Sequence, residues 1–249
     1  MARLSKSHPR YESLKTRELL VKSVEDGITH KTGLIAHGRG EAFDYIIGEK
    51  TVDIADESSR VAAAALLLAK DPVISVNGNV AALNPKDCIS LSKAIPAKLE
   101  INLFHRTEER VNKIHELLKR NGAGKVYGLN PNANIPFIDH DRSFCDKEGI
   151  FSSDVVLVPL EDGDRCNALK KMGKKVITID LNPLSRTSRD ADITIVDNVV
   201  RAIPNIERWI NNYKEIQKDK LIEYVQEWNN EEMLKEILTY ISKRLNSMF

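Results

Sequence analysis

Five short runs rich in β-branched and other apolar residues punctuate the chain between positions 71 and 200: Val73–Val76, Ile101–Phe104, Val155–Val158, Val176–Ile179 and Ile193–Val196. Amphipathic stretches of helical period separate them. Strands that alternate with helices pair in parallel, because a parallel neighbour is reached only through a crossover connection. The runs are continuously apolar, which suits strands covered by helices on both faces. The expected fold is therefore α/β, a Rossmann-like, mostly parallel sheet with additional N-terminal and C-terminal helices.

One unit is well marked. Between Glu100 and Gly128, Thr107 is placed to cap a helix whose stripe is Val111, Ile114, Leu117 and Leu118, and Asn121-Gly122 stops it. A parallel partner strand is expected near Val126. Residues 1–70 read as helices: one closed by Gly27, a second ending near Gly48, and a third from Asp53 to Lys70, buried through Val61-Ala62-Ala63-Ala64-Ala65. After Pro204 the pattern is again helical, with a restart near Asn230. The segment from Asn130 to Gly149 has no period and reads as a long functional or packing loop. No linker or repeat divides the 249 residues, so a single domain is expected: N-terminal helices (1–70), core (71–200) and C-terminal helices (201–249).

Charge narrows the partners. Lys plus Arg number 37 and Asp plus Glu 36, so no overall basic field points to nucleic acid. The longest apolar run, Val61 to Ala69, is about half of the ~20 residues a membrane span needs, and MARLSKSHPRYESLK lacks an apolar leader. A cytoplasmic protein with neither nucleic acid nor membrane as partner is expected. Cys88, Cys145 and Cys166 show no CxxC spacing, which suits a reducing compartment and no zinc site.

Ligands of open parallel sheets lie beyond the carboxyl ends of the strands. Polar residues stand there in number: Asn77-Gly78-Asn79, His105-Arg106, Asp180-Leu181-Asn182 and Asp197-Asn198. Each is also ordinary turn and cap chemistry; together they describe a binding edge. Neither GxGxxG nor GxxxxGK[ST] occurs, which weakens readings as a standard dinucleotide enzyme or a P-loop kinase. In Asp180–Arg189 an acid suited to ribose hydroxyls precedes Arg186, which can fork onto phosphate oxygens; a solvated loop whose arginines pair with Asp190 or Asp192 is the plain alternative. His37-Gly38-Arg39-Gly40-Glu41 sets glycines inside a helical stretch, a costly choice unless backbone must bend, approach a ligand, or cross another helix closely. No nucleophile triad or metal-ligand spacing is legible, and Asp139-His140-Asp141 is only a remote metal candidate.

Four ordered blocks, HPRYESLKTRELLVK, GLIAHGRGEAFDYIIGEKT, DPVISVNGNVAAL and VITIDLNPLSRTSRDADITIVDNVVRAIPN, resemble the archaeal 4-phosphopantoate–β-alanine ligases over nearly the whole chain. The resemblance implies ATP-dependent condensation of 4-phosphopantoate with β-alanine through an acyl-adenylate, in a homodimer, with magnesium accompanying the nucleotide. It implies ATP contacts at Arg17, Arg39, Asp180, Leu181, Asn182, Arg186, Thr187, Asn198 and Val199. Arg17 comes from the resemblance alone. His37, Asn77, Asn79, His105 and Arg106 are weaker substrate-binding candidates read from the residues themselves. Two rival readings are an NAD(P)-linked oxidoreductase in which Arg106 reads a 2'-phosphate, and a nucleotide-sensing module whose C-terminal helices, bearing Trp209 and Trp228, form an interface.

Overall fold

The computed structural model describes residues 5–160 and 162–248. Three helices come first: α1 (Tyr11–Glu25), α2 (Lys31–Ile47) and α3 (Asp53–Leu68). The sheet strands are β1 (Pro72–Val76), β2 (Lys98–Ile101), β3 (Val126–Tyr127), β6 (Val155–Pro159), β7 (Lys175–Ile179) and β8 (Ile193–Ile195). Between them lie α4 (Gly78–Leu83), α5 (Pro85–Ala94), α6 (Glu108–Arg120), α7 (Gly163–Lys171) and α8 (Arg186–Asp190). Two short strands, β4 (Ala133–Asn134) and β5 (Phe144–Cys145), pair antiparallel in the aperiodic segment. Helices α9 (Val199–Asn212), α10 (Lys218–Gln226) and α11 (Asn230–Asn246) finish the chain.

The six-stranded sheet has the order β3-β2-β1-β6-β7-β8 and every pairing is parallel. The Rossmann-like expectation is met, with the order reversing between β1 and β6. Helices cover both faces. On one, the alanine run of α3 packs with α5, α6 and α9 against Ile74, Val76, Leu99 and Ile101; on the other, α7 and the 133–150 segment bury Val73, Val156, Val158 and Val176. A third apolar cluster joins α2, α3 and α11 through Ile47, Ala55 and Ile237.

Two sequence expectations shift. The second strand runs from Lys98 to Ile101 rather than Ile101 to Phe104. Lys98 and Glu100 disguise it, because Glu100 is fully buried and Lys98 pairs with Asp71. The helix expected after Pro204 already starts at Val199, capped by Asn198, and carries Pro204 inside it. Short helices α5 and α10 are not marked as separate elements in the sequence pattern. Trp209 donates to Asp56 and Trp228 to the Asp192 carbonyl, so both tryptophans bind this chain's own core. All three cysteines are buried. Among the described residues no helix is long and apolar enough to cross a membrane.

Candidate active site

A cleft of about 790 Å³ opens where the strand order reverses, above the carboxyl ends of β1 and β6, with α2 as its opposite wall. Reversal splays the loops that follow neighbouring strands to opposite sides and leaves the crevice between them. Asn77 bridges that point. Its amide donates to the carbonyls of Pro159 (3.0 Å) and Leu160 (3.2 Å), and its Oδ1 accepts from Val80 N–H to cap α4. Asn79 donates to the Gly33 carbonyl at 2.9 Å, and a side chain at position 33 would collide with the Asn79 amide. Both asparagines line the cleft, yet they also fasten α4 to β6 and to α2. Gly33 is thus a helix-crossing glycine.

At one end stand Arg39, Asp180, Leu181, Asn182, Asn198 and Val199, six of the nine residues singled out for nucleotide. Asp180 organises its own loop, accepting from Asn182 N–H (2.9 Å) and Ser185 Oγ (2.5 Å). Burial pushes its carboxyl up, against the opposing pull of those hydrogen bonds and of Arg39. Arg39 is exposed and makes no ion pair or hydrogen bond among the described residues. Asn198 caps α9 through Val200 N–H and donates to Asp44 (3.0 Å). Behind it Arg201 joins Asp44 and Asp197, each at 2.6 Å.

Three nucleotide candidates do not line this cleft. Arg17 donates from Nε to both Glu41 oxygens at 2.9 Å, and Arg10 and Ser13 share that carboxylate. Burial works to raise the Glu41 carboxyl, but the bonds from Arg17 and Ser13 outweigh it and hold it low. Arg186 pairs with Asp164 at 2.9 Å, both well exposed, and Thr187 is buried at the start of α8. An exposed pair of this kind contributes little to stability.

The other end of the cleft is cationic. The His30 and His105 rings lie 4.0 Å apart, and Arg110 reaches the carbonyls of His105 and of Ile28, the latter at 2.9 Å. Burial, then the charges of His105, Arg110 and Lys31, depress the His30 pKa. Arg142, almost fully buried, adds a guanidinium 3.5 Å from Asp162. His30, Arg110 and Arg142 carry no sequence signal: His30 precedes α2, Arg110 lies off the apolar stripe of α6, and Arg142 sits in the aperiodic segment. Arg106 turns away from the cleft and donates to the carbonyls of Gly128 (2.8 Å) and Leu129 (3.1 Å), which leaves the reading of a 2'-phosphate by this residue without support. In the Asp139-His140-Asp141 string, His140 accepts from Arg142 N–H and Asp141 from Arg106 N–H, so both serve the backbone.

Comparison with known proteins gives the family. The family model described as Phosphopantothenate/pantothenate synthetase matches residues 54–244. The chain belongs to this family. Relatives named 4-phosphopantoate–β-alanine ligase are 53% identical in Thermococcus onnurineus and 54% in Thermococcus kodakarensis, each over all of this chain and 95% of the relative. A relative of the same name in Methanosarcina mazei is 50% identical over 100% of this chain and 98% of its own length.

Proposed function

We propose that the chain is an ATP-dependent ligase of coenzyme A biosynthesis. It joins 4-phosphopantoate to β-alanine and releases AMP and diphosphate through an acyl-adenylate. The observation that carries the chemistry is the two-ended cleft at the switch point, with Arg39 and the Asp180–Asn182 loop at one end and His30, His105 and Arg110 at the other. ATP occupies the first end, contacted by Arg39, Asp180, Leu181, Asn182, Asn198 and Val199. Arg17, Arg186 and Thr187 complete its shell from the rim. The phosphate of phosphopantoate takes the cationic end, over Asn77 and Asn79, and its carboxylate points toward the α-phosphorus.

In the first step the carboxylate oxygen attacks the α-phosphorus and the bond to diphosphate breaks. In the second the β-alanine amine attacks the acyl carbon and AMP departs. Arg39 stabilises charge that grows on phosphate oxygens, and fixing two anions in one cleft supplies orientation. Magnesium accompanies the triphosphate and would neutralise part of its charge. We further propose a single-domain cytoplasmic homodimer.

Incubation with Mg-ATP, 4-phosphopantoate and β-alanine should give AMP and phosphopantothenate one-to-one. ADP in place of AMP would overturn the adenylate. Arg39→Ala should raise the KM for ATP at least tenfold, and an unchanged KM and kcat would remove Arg39 from the nucleotide site.

A further inference from the structure

A second cavity of about 340 Å³ lies between the N-terminal segment, α2 and the start of α9. Among the described residues, only His37 and Asn198 belong to the walls of both cavities. The Asn198 side chain is committed at both ends, to Val200 N–H and to Asp44. His37 is different. It is half-buried and makes no hydrogen bond, ion pair or ring contact among the described residues.

The two cavities differ in charge. Glu12, Glu41, Asp44 and Glu49 face the second cavity against Lys6, Arg10 and Arg201, an acidic balance. Arg39, Arg110 and Arg142 face the cleft against Asp162 and Asp180, a basic one. The carboxylates of the second cavity suit an ammonium group and the arginines of the cleft an anionic acid, and the imidazole stands where the two meet.

We propose that His37 is the base that accepts the proton of the β-alanine amine as it comes from the second cavity to attack the acyl-adenylate. The assignment rests on the ligase reading above. β-Alanine arrives as an ammonium. His37 takes one proton and frees the nitrogen lone pair, which bonds to the acyl carbon. The carbon–oxygen bond to AMP then breaks with its electron pair on the phosphate oxygen, and the remaining excess proton on nitrogen passes to water. Burial, with help from Arg17, depresses the His37 pKa against the opposing pull of Glu41 and Asp44, which favours the neutral, proton-accepting ring. The other charged groups around it are Arg39 on its own helix, Lys6, His8 and Arg10 on the N-terminal segment, and Arg201 on α9.

The test separates the half-reactions in full-length His37→Gln and His37→Ala. Phosphopantoate-dependent exchange of labelled diphosphate into ATP, without β-alanine, should stay within about twofold of the parent, which also certifies the fold. Single-turnover aminolysis of the adenylate should fall by about 10²- to 10⁴-fold, the usual reach of a positioned base. Its acid limb below pH 6.5 should vanish, and hydroxylamine, a free base at neutral pH, should restore most of the rate. Equal loss of exchange and aminolysis would make His37 structural, and retained aminolysis with its acid limb would sink the proposal. Absence of exchange in the parent protein would instead remove the acyl-adenylate, and His37 as its base with it.

Discussion

Glu100 gives the sharpest test of the physical reading. Its carboxylate is fully buried in β2 and accepts from Asp146 N–H (2.9 Å) and Ile150 N–H (2.6 Å), pinning the segment that carries Arg142. Burial pushes its pKa from 4.5 up to about 7, despite those two bonds. The native state therefore holds this proton where the unfolded chain has released it. The stability Glu100 contributes is fully present below pH 4.5 and is lost as the pH rises through 7. Between pH 5 and pH 8 those two pKa values correspond to a loss of about 2.5 kcal/mol. Glu100→Gln abolishes the titration. Its amide turns an N–H toward one backbone donor, which costs about 1–3 kcal/mol at every pH and cancels when the pH slopes are compared. Urea denaturation of both proteins at half-unit steps from pH 5 to 8 should show ΔΔG shrinking, or reversing sign, by about 2.5 kcal/mol toward high pH. Parallel stability profiles would refute a proton held at Glu100.

Two further substitutions probe the scaffold around the cleft. Asn102 is fully buried and donates to the carbonyls of Arg142 (3.2 Å) and Phe144 (2.9 Å), so Asn102→Ala should lower stability by about 2 kcal/mol in urea and raise the KM for phosphopantoate, leaving that for ATP unchanged. Gly40 lies inside α2 with Leu181 Cδ1 3.5 Å from where a Cβ would stand, an ordinary contact; Gly40→Ala should stabilise by about 0.5–1 kcal/mol in thermal melts, and an unchanged KM for ATP would deny the bare backbone a role at the nucleotide.

Much of the frame is legible because apolar runs and caps are local signals. Thr107 and Asn198 cap helices through their own side chains, and Gly48, at φ +109°, ends α2 where a left-handed residue is needed. The shift of β2 has the opposite cause. Glu100 is polar in sequence but buried in space, and only the backbone donors at 146 and 150, almost fifty residues later, make that position tenable. Arg110 is hidden for a related reason: its helix shows a clean apolar stripe, and nothing local tells that a residue off the stripe reaches the carbonyl of Ile28. Asp180 was legible as a strand-end acid, although much of its hydrogen bonding goes to shaping its loop.

The glycines of α2 show how far a local rule carries. Glycine in a helix interior costs about 1 kcal/mol relative to alanine, so Gly33, Gly38 and Gly40 each require a return. Gly33 has one, because a Cβ there would meet the Asn79 amide. Gly38 has nothing within 4 Å and Gly40 only an ordinary contact, so close packing explains neither. The helix is continuous from Lys31 to Ile47, so neither glycine breaks it. What remains is the neighbourhood: these two glycines flank Arg39, which makes no ion pair among the described residues at the Asp180 end of the cleft, while Arg10, Arg17 and Arg201 nearby all hold carboxylates. An arginine with neither a hydrogen bond nor an ion pair among the described residues is free to meet the polyphosphate of the proposed reaction, and the KM of Arg39→Ala for ATP tests that role.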